Sequence, residues 1–141
     1  MKKITYDVQM AEVVVNLKTG NVQVLKIMSV HDLGTVINKH NVEGQLHGGI
    51  LMGLGYALNE EFIYNQTDTY GKLGIPRPKD APSMEVITLN IPREKGPFGA
   101  SGTAEYADVP TAPAIANAIY HACGVRIRDL PITPEKIKQS L

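Results

Sequence analysis

Glu105 follows a stretch rich in glycine, Gly96-Pro97-Phe98-Gly99-Ala100-Ser101-Gly102, and precedes the turn at Pro110 that opens a helix. Glycines at this density let backbone N–H groups converge, and loops of this kind carry functional groups. A carboxylate there can serve as a general base once burial raises its pKa toward the working pH. Taken alone, the same residue reads as a solvated loop glutamate, the commoner fate of surface carboxylates. The loop lacks the Lys-Ser/Thr ending of a phosphate-binding P-loop and the Gly-x-Gly-x-x-Gly spacing of a dinucleotide site, so neither is predicted. A tight turn between strand and helix is the simpler reading of its glycines. Gln45 lies between Gly44 and His47-Gly48-Gly49. Its carboxamide both donates and accepts, which suits the edge of a heterocycle, and equally suits an exposed helix start. His31, His40, His47 and His121 show no metal-ligand spacing and are read as non-ligands. Asp32-Leu33-Gly34 with Asn38 reads as turn chemistry, and Cys123 as a packed thiol rather than a nucleophile.

These residues need elements to position them, and the pattern is α+β. An uneven alternation from Val8 to Leu17, β-branched in Val13-Val14-Val15, the turn Lys18-Thr19-Gly20-Asn21 and a second run from Val22 to Val30 predict an N-terminal β-hairpin with positive φ at Gly20. From Gly44 to Phe62 the positions Ile50, Leu51, Leu54, Ala57 and Leu58 recur at helical spacing. Gly48, Gly49, Gly53 and Gly55 interrupt that helix, each costing about 0.8–1 kcal/mol relative to alanine, so close approach of another backbone or a ligand is expected there. Tyr64 to Ser83 reads as a long loop of the kind used for lids and binding surfaces. A short strand follows over Glu85 to Ile91, with Ile87, Leu89 and Ile91 on one face. The next helix has Thr111 as its cap, Pro113 in its first turn, a buried stripe of Ile115, Ala118, Ile119 and Ala122, and Gly124 as its left-handed stop. Val125 to Arg128 reads as a short strand, and Thr133-Pro134-Glu135 opens a final helix.

At 141 residues, with no internal repeat and no linker, one domain over 1–141 is expected. Fourteen Lys and Arg balance fourteen Asp and Glu, which removes the electrostatic case for nucleic acid or an anionic membrane as partner. No apolar run approaches a bilayer span and the start lacks a secretory pattern, so a cytoplasmic protein is expected. Cys123 is the only cysteine, which excludes an internal disulfide and a cysteine-ligated iron–sulfur cluster. Any redox centre must come from elsewhere.

Together the stretches resemble the C-terminal part of the molybdopterin-binding subunit of the xanthine dehydrogenase and aldehyde oxidoreductase family. The resemblance rests on His31-Asp32-Leu33-Gly34, Val42-Glu43-Gly44-Gln45 with Gly48-Gly49, Met52-Gly53-Leu54-Gly55-Tyr56-Ala57-Leu58 and Glu60-Glu61-Phe62. It continues through Gly96 to Gly102, Glu105, Pro113-Ala114-Ile115-Ala116-Asn117-Ala118-Ile119 and Leu130-Pro131-Ile132-Thr133-Pro134-Glu135-Lys136-Ile137, in order and nearly end to end. It implies a molybdenum hydroxylase, which inserts water-derived oxygen at a C–H carbon of an aldehyde or N-heterocycle and passes on two electrons, the cofactor carrying the chemistry. By motif position, Glu105 falls on the family's catalytic glutamate, the base toward the metal-bound hydroxyl. Gln45 falls on the glutamine that bonds the pterin, and Gly99, Ala100, Ser101 and Gly102 fall on the loop lining the metal site. No metal ligand from the protein is implied. Three positions depart from the pattern: Ala104 and Lys39 stand where glycine and proline are common, and Tyr106 where proline often follows the glutamate. Should Ala104 need positive φ, strain is expected there.

The implied cofactor is molybdopterin, plain or in its cytosine dinucleotide form, shared with upstream polypeptide. Iron–sulfur clusters and FAD are expected only on partner subunits or domains. The remainder of the subunit and those two components are the implied partners, with self-association through faces the longer proteins cover. A cofactor held from one side binds weakly, so the chain alone is expected to be inactive. A reading of a different class is a non-catalytic interaction module that keeps the family fold.

Overall fold

The structure, a computed structural model, describes residues 4–141. Strand β1 (Tyr6–Val15) turns through Gly20, at φ +78°, into β2 (Val22–Asp32). The Asn16 side chain tightens that turn by accepting from the amides of Lys18 and Thr19 at 3.0 and 3.1 Å. The predicted hairpin therefore forms, with an irregularity between Glu12 and Val13 that shifts the register. Helix α1 (Lys39–Leu58) then carries the chain back so that β3 (Ser83–Leu89) pairs with β2 in parallel, giving the order β1-β2-β3. Helix α3 (Thr111–Cys123) packs on β1 and α1, and α4 (Pro134–Ser140) ends the fold with Thr133 as its cap.

Alternation along the strands turns Ala11, Val13, Ile27, Met84 and Val86 to one side of the sheet. There they meet Ile50, Leu54 and Ala57 of α1 and Ile115 and Ile119 of α3, all buried. The opposite side has no cover from the described residues: Tyr6, Val8 and Met10 of β1 and Ile87 and Leu89 of β3 are exposed. Ile87 and Leu89 thus share a face, as the spacing predicts, and it is the outer one.

Helix α1 starts five residues earlier than periodicity places it. Asn38 is in extended conformation and its side chain accepts from the Asn41 amide at 3.0 Å, an N-cap that recruits the mostly polar residues 39–43 into the helix. The helix ends at Leu58 rather than Phe62, where the amides of Asn59 and Glu60 both turn back to the Gly55 carbonyl. Its glycines are compensated by close approach. A Cβ at Gly49 would stand 2.9 Å from the Ala107 Cβ, and one at Gly53 would stand 2.5 Å from the Thr111 Cβ and 2.8 Å from the Asp108 carbonyl oxygen. Among the described residues, nothing lies within 4 Å of a Cβ at Gly44 or Gly48.

Other expectations change. The 64–83 loop contains a helical turn, α2 (Tyr70–Leu73), and a 3-10 turn over Pro78–Asp80. Thr111 is not the cap of α3. That position is Pro110, and the Thr111 hydroxyl, fully buried, instead lies 2.7 Å from Gln9 Oε1 and 3.1 Å from the Ala107 carbonyl. Ala122 is exposed, because α3 meets β1 and α1 through Ala112, Ile115 and Ile119, with Cys123 in line one turn on, and Ala122 lies off that face. The 125–128 segment alternates Val125 inward and Arg126 outward but joins no ladder. Arg126 instead lies 4.1 Å over the Tyr120 ring and donates to Asn117 Oδ1 at 2.6 Å. Cys123 packs at the core margin, its Sγ bonding the Ile119 carbonyl at 3.2 Å.

Candidate functional site

The loop at 96–105 is built by pinning both of its ends. Pro97–Gly99 makes one 3-10 turn, with left-handed φ at Phe98 (+52°) and Gly99 (+76°). The Gly99 carbonyl accepts from the amides of Thr35 (3.0 Å) and Arg93 (2.8 Å), and the Ser101 amide donates to the Leu33 carbonyl at 2.9 Å. The loop is thereby stitched to the chain leaving β2. A Cβ at Gly34 would run into the Gly99 carbonyl, so the absence of side chains lets the two strands of this stitch meet.

On the other side of Glu105, the chain is seated on α1. Ala107 fits over Gly49, and Asp108 and Thr111 fit over Gly53. Gln9 reaches from β1 and donates through Nε2 to the Ala107 carbonyl at 2.7 Å. The Tyr106 ring meets His31 edge-on, with centroids 5.6 Å apart. Glu105 thus sits between two anchored segments and holds φ +57°. For a residue with a Cβ this conformation costs roughly 1–2 kcal/mol, and strain of this kind collects at functional positions. The strain expected at Ala104 falls instead on its neighbour: Ala104 is not among the residues with positive φ.

Between the loop and the first two turns of α1 lies an open hollow of about 460 Å³. One wall is Asn38, Asn41, Val42 and Gln45, spaced along a single helix face. The other is Ala100, Ser101, Thr103 and Ala104, over a floor of Leu33, Thr35 and Val36. Of the sequence-predicted residues, the fold brings Gln45, Ala100 and Ser101 to this hollow from 55 residues apart in the chain. Glu105 is exposed and follows directly on the Ala104 wall. Gly99 and Gly102 do not line it. Gly99 works behind the loop through its carbonyl, and Gly102 is exposed, with open space around it.

Asn41 and Asn38 are wall residues beyond those that the motifs single out. Their signal is the i, i+4 spacing of Asn41 and Gln45, visible only once the helix starts at its Asn38 cap. No spacing marks Arg93, nor a buried polar cluster that meets the Tyr106 ring through His31. There Ser29 Oγ lies 2.6 Å from His31 Nε2 and 3.2 Å from Asp7 Oδ1, and His31 Nδ1 lies 3.3 Å from the same carboxylate oxygen. Among the described residues, Asp7 Oδ2, His31 Nδ1 and the Tyr106 hydroxyl are buried with no hydrogen-bond partner. Burial pushes Asp7 up to about 6 and His31 down to about 4. Burial, and then the charges of Asp7 and Asp32, raise the Tyr106 hydroxyl.

These two shifts oppose one another in stability. The raised Asp7 favours the folded chain at low pH, and that contribution is lost as pH rises from about 4 to about 6. The lowered His31 favours the folded chain at high pH, and that contribution is lost as pH falls from 6.5 to about 4. The pair should leave stability nearly level across this window. In Asp7→Asn only the His31 contribution of the pair remains, and the unfolding free energy from urea titrations should fall on acidification, by up to ~1.4 kcal/mol per pH unit. A variant as level as the parent would show that His31 does not titrate as its burial requires.

Residues 1–82 match the family model described as the molybdopterin cofactor-binding domain, a span that contains Gln45 and one whole wall of the hollow. The chain belongs to that family. The aldehyde oxidoreductase of Megalodesulfovibrio gigas is 41% identical over 139 residues, covering 96% of this chain and 15% of that protein. One of the polypeptides of the nicotinate dehydrogenase of Pseudomonas putida is 36% identical over 135 residues, covering 93% of this chain and 11% of the relative. The solved aldehyde oxidoreductase from Desulfovibrio gigas superposes with a TM-score of 0.92 at 40% identity, over 96% of this chain and 15% of that one. The α+β arrangement is that of the molybdopterin-binding domain in these enzymes. The chain thus spans about one-seventh or less of the length of these relatives. No helix among the described residues is long and apolar enough to cross a membrane.

Proposed function

We propose that this molybdopterin-binding domain forms one side of the active site of a molybdenum hydroxylase acting on an aldehyde or N-heterocycle, and that Glu105 is its general base. The observation that carries the reading is the junction at the hollow: the Gln45 face of α1 and the Ala104 wall meet there, with a strained Glu105 next in the chain. The residues fit the group. Asn38, Asn41 and Gln45 offer carboxamides that donate and accept, as a pterin edge requires, and Ala100 and Ala104 are small enough to let a bulky ligand approach. Gln45 and Ser101 would hold the pterin and Ala100 would leave it room, while Gly99 and Gly102 shape the loop. When bound, the molybdenum–pterin supplies oxygen transfer to carbon and takes up two electrons.

The protein's share is positional. The carboxylate of Glu105, next in the chain after the Ala104 wall, accepts a proton, and the anchored residues on both sides of it hold its backbone in place. The rest of the subunit covers this side, excludes water and buries the carboxylate. The exposed outer sheet face of Tyr6, Val8, Met10, Ile87 and Leu89 is a further surface for such polypeptide. Iron–sulfur clusters and FAD reside on other subunits or domains and carry the electrons onward. The cofactor is plain molybdopterin or its cytosine dinucleotide form, and the enzyme is cytoplasmic.

The test is to purify the chain alone and together with the polypeptide that completes the subunit, and to measure molybdenum, pterin and turnover in each. The chain alone should carry none of the three, and the completed subunit all of them. A completed, stable subunit that never takes up molybdopterin overturns the reading and leaves an interaction module with the family fold.

A further inference from the structure

Arg93, just beyond β3 on the segment leading to the glycine-rich loop, makes a three-way clasp. Its Nη1 donates to Asp32 Oδ2 at 3.0 Å, its Nη2 to the Asp32 carbonyl at 2.9 Å, and its Nε to Ser101 Oγ at 3.1 Å. Both ionic partners are largely buried. A guanidinium has five donors and no acceptor, so the bond to Ser101 runs one way, with the hydroxyl oxygen accepting. The Ser101 proton is not used in that bond, and among the described residues Ser101 Oγ donates to no acceptor. Ser101 is also one of the residues that line the hollow.

We infer that Arg93 is a positioning residue that holds Ser101 as a one-way hydrogen-bond donor into the hollow, so that the site selects a group presenting a lone pair there. The inference rests on the reading that this group is molybdopterin, whose acceptor atoms supply such lone pairs. Because Asp32 balances the charge of Arg93, the clasp contributes direction and polarisation of the hydroxyl rather than net attraction. The rigid fork is what allows three acceptors to be held at once.

The test uses the completed, molybdopterin-loaded subunit and follows the rate at which molybdopterin is released in mild denaturant, with thermal melting recorded beside it. Ser101→Ala and Arg93→Met should each speed release by roughly tenfold or more. The double variant should release no faster than the faster single one, because Arg93 acts on the ligand through the Ser101 hydroxyl. Melting temperature should instead drop with Arg93→Met whether or not Ser101 is present, since the Asp32 contacts are lost in both. A purely structural Arg93 gives release effects that multiply, and that result overturns the inference. So does a Ser101→Ala subunit that keeps molybdopterin as long as the parent. Where Arg93→Met fails to fold, Arg93→Lys, which keeps the charge but not the fork, takes its place in the cycle. A parent subunit that folds without molybdopterin overturns the functional reading and this inference together, a result distinct from loaded variants that behave like the parent.

Discussion

Glu105→Gln in the completed subunit is expected to lower turnover at least ~100-fold while molybdopterin content stays unchanged. The amide keeps the shape of the carboxylate and removes only its capacity to take a proton. The fold has no stake in that capacity, because Glu105 is exposed and forms no hydrogen bond or ion pair among the described residues. What it does have is φ +57°. Glu105→Gly should therefore lose activity in the same way and melt at an equal or higher temperature, gaining up to ~1 kcal/mol once the greater freedom of glycine in the unfolded chain is deducted. Loss of activity with no loss of stability marks a residue kept for chemistry against the preference of its backbone. Turnover within a few-fold of the parent in Glu105→Gln would remove the residue from the reaction.

Gly53→Val is expected to destabilise the chain by roughly 3 kcal/mol or more, with Gly48→Ala as its opposite control. At Gly53 the first added carbon already meets Thr111 and the Asp108 carbonyl, and valine adds two methyl groups beyond it. Backbone cannot rotate aside as a side-chain tip can, so α1 and the 107–111 segment must separate. That movement also disturbs the seat of Glu105, so retained molybdopterin should fall in the completed subunit even at temperatures where the variant is folded. At Gly48 a Cβ meets nothing within 4 Å, and alanine should add ~0.5–1 kcal/mol through helix propensity alone. Chemical denaturation of the two variants decides it: equal shifts of the same sign would mean that the glycines do not serve close approach.

Much of the fold is legible in the sequence because it depends on local rules. The hairpin follows from β-branched runs and a glycine turn, the stop of α3 from Gly124 at φ +75°, and the opening of α4 from its threonine cap. Where a side chain has a stronger partner far away in sequence, local reading fails. Thr111 looks like a cap and is drawn off by Gln9, 102 residues earlier. The 125–128 segment has the alternation of a strand, but its arginine finds an aromatic ring rather than a neighbouring ladder. Hydrophobic periodicity shortens helix α1 at its start because the apolar pattern begins only after a polar first turn, although the Asn38 cap that opens the helix is a local signal.

The site divides in the same manner. Residue types and order along the chain are enough to single out Glu105, Gln45 and the loop of Gly99, Ala100, Ser101 and Gly102, and to join them to a family of molybdopterin binders. Tertiary structure alone decides that the Gln45 face of α1 meets the wall of Ala100 to Ala104, that Gly99 and Gly102 stand back from the hollow, and that strain sits on Glu105 instead of Ala104. It also decides that Arg93 grips Asp32 from 61 residues away. The reason is physical. Propensity, capping and turn chemistry act over a few residues and leave a mark in the sequence, whereas the direction of a hydroxyl proton or the sign of one φ is set by groups that meet only when the chain has closed on itself.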